Sequence, residues 1–397
     1  MKNRIIMLAI LFLFSQYARA QHTVREVLEQ VKQNNISLQK YQEYTSSRIL
    51  ESKTGLNPAD PSFEIAYLWG SKSNTYLNEI GLKQEFDFPT AYTQRNKIST
   101  LQQLQYRYQQ EKYCWEILQE TKLLTIKMVY LYKKRAEYKA RADLSGRLLS
   151  DQEKRLREGY GTSLEVEKAR LHHHLIENDL QKIQSGIRTS QAHLEELNGG
   201  REISFYSMDY PVFDKLPVFD TLIERLEAVD PVNKIIEVQI KEADRKVSLS
   251  KAEALPGFEI GYRYEEEFLN KFNGVHFGIS IPLWEDRNKV KHSRLKTDYL
   301  YAEIAEHEND HYYEIKETYE SFLSAKERLN SLGKTLNELR FEDKLDKALN
   351  EGNIDRIDFY SEYIYLYDIR DELFETEKEY YMLLAELFKF KLLELTR

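Results

Sequence analysis

A chain that repeats itself at an offset of about 193 residues must fold twice to one plan, which constrains this sequence more than any single motif. Phe63-Glu64-Ile65-Ala66-Tyr67 returns 195 positions later as Phe258-Glu259-Ile260-Gly261-Tyr262, each with a proline two residues upstream, Pro61 and Pro256. Phe86-Asp87-Phe88-Pro89 corresponds to Ile279-Ser280-Ile281-Pro282, and Arg95-Asn96-Lys97 to Arg287-Asn288-Lys289. Glu158-Gly159 matches Glu351-Gly352, followed at the same spacing by Leu164/Ile357, Glu165/Asp358, Leu171/Ile364, Leu180/Leu373 and Ala192/Ala385. Four collinear matches divide the chain into halves, 21–198 and 218–397. The connector 199–217 carries Gly199-Gly200, Pro211 and Pro217, with room for one short strand.

Each half shows the same order of elements. A helix (23–56 and 218–254) leads into a hairpin (about 62–89 and 257–283), then a long helix (91–157 and 284–350) and a return helix (162–198 and 354–397). The hairpins follow from period-2 alternation: Phe63, Ile65, Tyr67 and Trp69, then Ile80, Leu82, Phe86 and Phe88, around the polar turn Ser71 to Asn74. In the second half Phe258, Ile260, Tyr262 and Tyr264 precede a polar tip, and Val275, Phe277, Ile279 and Ile281 follow it. Beyond Pro89 and Pro282 the period becomes helical. Ile315, Phe322, Leu329 and Leu336 recur every seven residues, with Ala325, Leu332 and Leu339 filling the second seam position of a coiled coil. Only 15 Gly and 8 Pro occur in 397 residues, and both long-helix segments are free of Pro, so each can run about 100 Å at 1.5 Å per residue.

Charged residues make up 31% of the chain and hydrophobic ones 42%, a balance that suits narrow apolar stripes between charged faces. With 28 Tyr and 18 Phe the chain is too aromatic for disorder. The net charge of -8, with no clustered basic face, excludes nucleic acid as a partner. Cys114, the single cysteine, can form neither an internal disulfide nor a multi-Cys metal site. Residues 1–20 read as a cleaved export signal: Lys2 and Arg4, the apolar run Ile5 to Phe14, and Ala18-Arg19-Ala20. The run is too short to span a bilayer as a helix.

Strands of eight to ten residues with one apolar and one small or polar face (His276, Gly278, Ser280) fit two settings. They can pack as soluble hairpins on the helices, or cross a bilayer as barrel staves. Four strands cannot close a barrel, and about eight is the practical minimum, so the second setting requires several chains.

The hairpin end Gly278-Ile279-Ser280-Ile281-Pro282-Leu283-Trp284 and the segment Tyr160 to Gly199, with its glycine turn and Leu-rich return helix, resemble the TolC-type outer-membrane efflux family over essentially the whole mature chain. The resemblance implies a mainly α fold with a small β part: a tandem-repeat α-helical barrel plus four strands per chain in a trimeric 12-stranded transmembrane β-barrel. It implies a homotrimer in the outer membrane with a long periplasmic extension, in contact with outer-membrane lipid, serving as exit duct for an inner-membrane pump through a periplasmic adaptor. The segment Glu79 to Thr90 resembles members serving heavy-metal resistance-nodulation-division pumps and favours metal cations. Drug efflux and type I secretion use the same duct. A soluble periplasmic coiled-coil scaffold is the rival from another class.

By the same resemblance the helix–helix tips contact the adaptor: Glu158, Gly159 and Tyr160, and Glu351, Gly352 and Asn353. Asp358 matches the acidic residue lining the constricted entrance, with Asp355 and Arg356 beside it and Glu165 as counterpart in the other half. A three-fold acidic ring at a narrow pore would favour cations. Acids in a helix's first turn also complement its dipole, which is the competing account of Glu165 and Asp358. One turn after Asp358 stands Ser361, where the family often has a second acid. His172-His173-His174 point about 100° apart on a helix and cannot converge on one ion, so no metal site is expected. With no phosphate loop and no nucleophile triad, neither catalysis nor a cofactor is expected. Tyr67, Trp69, Tyr76, Tyr262, Tyr264 and Trp284 stand near strand ends, as membrane-interface aromatics do.

Overall fold

The computed structural model describes residues 23–71, 76–267, 270–284, 288–354, 356–392 and 395, without the side chains of 339, 356 and 357. The expected signal segment 1–20 and Asp355 lie outside the described residues. In chain order the elements are α1 (Val24–Asn34), α2 (Ile36–Glu51), β1 (Ser62–Trp69), β2 (Tyr76–Phe86), α3 (Pro89–Arg157), α4 (Ser163–Leu197), α5 (Phe219–Val229), α6 (Pro231–Glu253), β3 (Gly257–Glu267), β4 (Asn270–Ser280), α7 (Lys289–Leu339), α8 (Phe341–Asn350) and α9 (Arg356–Leu387), with a 3-10 turn at Lys389–Leu392.

Three helices expected to be continuous are broken. Asn35 sits in an extended conformation between α1 and α2, its side chain accepting from the Leu38 amide at 2.9 Å and donating to the Leu197 carbonyl at 2.8 Å. Asp230, 195 residues later, stands between α5 and α6 and caps α6 by accepting from the Val232 amide at 2.9 Å, with Pro231 as the first helical residue. Proline lacks the amide that would continue α5 but fits the first turn of α6. The third break is at Arg340, a non-glycine residue in the left-handed region with φ of 39°, which separates α7 from α8. The connector 199–217 forms no strand.

The chain divides into two compact units, one of residues up to 39, 113–228 and from 312 on, the other of residues 40–112 and 229–311. The first unit is helical. Its largest core gathers Ile126, Met128 and Val129 of α3, Leu194 of α4, Val27 and Val31 of α1, and Ile203 and Phe205 of the connector. Tyr132 donates to the Phe205 carbonyl at 2.9 Å, which fixes the connector to α3. The heptad positions Ile315, Phe322 and Ala325 are buried, and the first two meet Leu384 and Phe388. Arg141, 4% exposed, ties α3 to α9. It donates to Asp371 at 3.0 Å and Glu137 at 2.9 Å, and lies over the rings of Tyr138 and Tyr367 at 4.5 and 4.2 Å. Tyr138 donates to the same Asp371 carboxylate at 2.8 Å, and each of the three guanidinium nitrogens has an acceptor.

The second unit carries one antiparallel sheet, ordered β1-β2-β3-β4. Both hairpins form, and β2 pairs with β3 along ten residues, Leu77↔Glu267 to Phe86↔Phe258, which fuses the two repeats into a single ribbon. Its helical part has a small apolar seam between α6 and α7, made by Ile236, Ile240 and Ala243 with Leu300.

Candidate functional site

The register of the sheet sorts its residues by face. Phe63, Leu82, Tyr262 and Val275 stand in one row across all four strands, and Phe86, Phe258 and Ile279 form another. None of these is buried; Phe277 is 75% exposed, Val275 69% and Ile65 70%. The opposite face carries Glu64, Gly81 and Arg263 in one row, Lys83, Gly261 and His276 in the next, and Glu85, Glu259 and Gly278 in a third. These polar side chains pair among themselves: Arg263 with Glu79 at 2.9 Å, His276 with Glu259 at 3.0 Å, and Lys83 with Glu64 at 3.5 Å. A Cβ at Gly261 would come within 2.2 Å of the His276 ring, so a larger residue there would displace that ring.

A soluble hairpin packed on helices would show the reverse, with apolar rows covered and polar rows wet on one side only. An apolar face this exposed suits lipid, and an ion-paired face with small residues suits a water-filled lumen. Aromatic residues mark both ends of the strands. Tyr67, Trp69 and Tyr76 cluster at one end, with Tyr67 edge-on to Trp69 at 5.1 Å and stacked on Tyr76 at 6.1 Å. Trp284, 81% exposed, follows β4 at the other. Among the described residues no helix is long and apolar enough to cross a membrane.

The tips lie in the helical unit and are built alike in both repeats. At the end of α3 the Tyr160 amide donates to the Arg155 carbonyl at 2.9 Å and Gly159 to Leu156 at 3.1 Å. At the end of α8 Asn353 donates to Ala348 at 2.9 Å and Gly352 to Leu349 at 3.1 Å. Each is a Schellman motif, with Gly159 at φ 83° and Gly352 at φ 75°, the left-handed position that favours glycine. Glu158, Tyr160, Glu351 and Asn353 are exposed around these glycines.

The two acidic candidates stand in the first turns of α4 and α9. Glu165 closes a capping box, accepting from the Thr162 amide at 2.7 Å while its own amide donates to Thr162 Oγ1 at 3.3 Å. Its carboxylate is thereby turned onto the start of α4. Asp358 lies in the first turn of α9 and is exposed. Arg356 begins α9. Between α3, α4 and α9 lies a cavity of about 220 Å³ lined by Leu148, Gln152, Glu165, Lys168, His172 and Ser361 among others.

The three consecutive histidines have different surroundings. His173 Nδ1 is 2.9 Å from Ser145 Oγ and its Nε2 3.4 Å from Glu177, His174 faces the same Glu177 at 3.7 Å, and His172 lines the cavity. Burial, reinforced by His173, pushes the His172 imidazole below the usual histidine range. A different set does converge: Asp230, His307 and His311 each offer a ligand atom, all within 4.8 Å of one another. The spacing His307-x-x-x-His311 is visible in the sequence, whereas Asp230, 77 residues away, reaches it only through the tertiary fold.

No protein-family model matches the sequence, and no curated protein matches it either. Solved structures do. Over 94% of this chain and 92% of its own length, the transmembrane channel protein CusC superposes with a TM-score of 0.77 at 13% identity. The outer-membrane channel OprN matches over 92% and 89% with a TM-score of 0.78 at 14% identity, and the outer membrane protein VceC of Vibrio cholerae over 93% and 94% with 0.71 at 14%. The chain therefore has the fold of the TolC-type outer-membrane channels.

Proposed function

We propose that this chain is the outer-membrane exit duct of a tripartite efflux system, assembled as a homotrimer and conducting passively what an inner-membrane pump delivers through a periplasmic adaptor. The observation that carries the reading is the sheet. Its apolar rows are uncovered on one face and its ion-paired rows line the other, while β1 and β4 end as edges. An open edge in hydrocarbon leaves backbone donors and acceptors unpaired at several kcal/mol each, so the edges close on further copies. Three copies supply twelve strands.

In this reading the exposed tips around Gly159 and Gly352 meet the adaptor. The α4 side chains Leu164, Leu171 and Leu175, seven and four residues apart and each 64% exposed, offer an apolar stripe for a coiled-coil partner. Asp358 forms the acidic ring of the entrance, and Glu165 serves α4 as its cap. Asp355 and Arg356, its near neighbours in sequence, are proposed to act with it. Metal cations are the cargo, in keeping with the segment Glu79 to Thr90; a deletion strain sensitised to drugs but not to metal salts would reassign it.

Reconstitution in planar bilayers tests the duct. Wild type should give cation-preferring single channels, and Asp358→Asn should conduct with a reduced preference for cations. An unchanged preference would remove Asp358 from the entrance, and recovery of the protein from the periplasm without detergent would overturn the channel itself.

A further inference from the structure

We propose that Asp230, His307 and His311 form a binding site for a borderline divalent transition metal such as Zn2+, clasping the start of α6 to α7. The site goes beyond the proposed duct and does not depend on its cargo.

The donor set comes first. His307 and His311 are one helical turn apart on α7, and their rings lie nearly parallel, 11° between planes and 5.5 Å between centroids. Asp230 Oδ2 is 2.7 Å from His307 Nε2 and 3.9 Å from His311 Nδ1. The other carboxylate oxygen, Oδ1, accepts from the Val232 amide at 2.9 Å, so the carboxylate is held in place by the backbone while one oxygen faces both imidazoles. In a tetrahedral site with bonds of about 2.0–2.1 Å, ligand atoms lie about 3.3 Å apart. The two carboxylate–imidazole separations bracket that value, so a shift of about 0.6 Å in each meets it, while the two imidazole nitrogens, within 4.8 Å of each other, close onto the same ion.

Two imidazoles and one carboxylate with an open fourth position match Zn2+ and its neighbours. Ca2+ and Mg2+ require more oxygen donors than the trio provides. Asp230 and His311 are buried, and His307 is half-exposed, which leaves one side for the ion to arrive. The neighbouring seam of Ile236, Ile240 and Leu300, with Val232 and Ile304 against it, lowers the local dielectric and strengthens charge–ligand attraction. When His307 Nε2 takes the metal, the proton it shares with Asp230 moves to Nδ1 of the neutral ring, or leaves an imidazolium for solvent.

The internal repeat shows that the fold does not need a polar cluster here. Asn35 lies 195 residues before Asp230, and Cys114 and Leu118 lie 193 before the two histidines. In that half Leu118 is fully buried with Leu28 and Leu392, and Cys114 packs against them. One copy of the plan is filled by apolar packing and the other by three ligand groups.

The experiment is equilibrium binding of Zn2+ to the untagged, detergent-purified full chain, with Co2+ as the spectroscopic probe. Wild type should take one metal per chain, and X-ray absorption of the zinc form should show two imidazole ligands. His311→Ala, His307→Ala and Asp230→Asn should each weaken binding by more than the roughly 10- to 100-fold that loss of an outer-shell partner costs. Asp230→Asn keeps a good helix cap, so its loss of metal cannot be assigned to unfolding. A control with His172, His173 and His174 all changed to Ala should bind as wild type. No stoichiometric uptake by wild type, binding undiminished in the three variants, or a zinc spectrum without paired imidazoles would each overturn the site.

Discussion

The β-sheet and the helical unit hold similar kinds of side chain in opposite environments. In the helical unit Ile126, Met128, Leu194 and Val31 are fully buried, whereas Phe63, Ile65, Phe277 and Ile279 of the sheet stand 63 to 75% exposed. The polar groups are exchanged as well: Arg141 is buried between Glu137, Asp371 and two tyrosine rings, and Arg263 and Lys83 pair on an open face. In the proposed duct a protein core and a lipid-facing wall are built from the same kinds of residue; what would differ is whether the chain itself or a bilayer supplies the apolar solvent.

Three tests separate these regions, in order of expected effect. Phe277→Arg places a charge on the uncovered apolar row, where each copy costs about 2–4 kcal/mol near the bilayer midplane, three times over in a trimer. Heat-resistant trimer should be lost from detergent extracts. Glu85→Gln, on the opposite face, should leave it intact; equal loss from both would remove the distinction between the faces. Arg141→Ala strips a buried cation from Asp371 and Glu137 and should destabilise the helical unit by about 3–5 kcal/mol, read as a fall in thermal midpoint with the sheet-dependent trimer yield less affected.

The third is a pH effect confined to the helical unit. Burial, aided by Lys391 and opposed by Glu386, lowers the Lys122 ammonium from 10.5 to about 8, and its Nζ lies 4.7 Å from the Phe213 ring. Between pH 8 and 10 the unfolded chain holds a proton there that the folded one has released, so stability should rise with pH across that window, by up to about 2–3 kcal/mol. Below pH 8 both states carry the proton and the contribution is flat. Lys122→Leu should abolish the rise; a rise that persists would place its origin in another group.

Much of the fold is legible in the residues because it rests on local periodicities. Period 2 marks Phe63 to Trp69 and Val275 to Ile281, Pro89 opens α3, and Gly159 and Gly352 end helices in a conformation that favours glycine. The break at Asp230-Pro231 was equally open to reading, since capping residue and proline adjoin; Asn35 was not, because the Leu197 carbonyl from across the fold holds its side chain, and nothing in the structure explains the conformation of Arg340. At the tips, Glu165 and Asp358 are equivalent by position in the repeat. Only the hydrogen bonds to Thr162 identify Glu165 as a cap.

The sequence by itself determined a doubled plan, alternating strands and long helices, since each depends on residues within a few turns of one another. The tertiary structure alone decided that β2 joins β3, that the apolar rows stay uncovered, and that Asp230 meets His307 and His311. Those outcomes depend on contacts between residues tens to hundreds of positions apart, which no local period encodes.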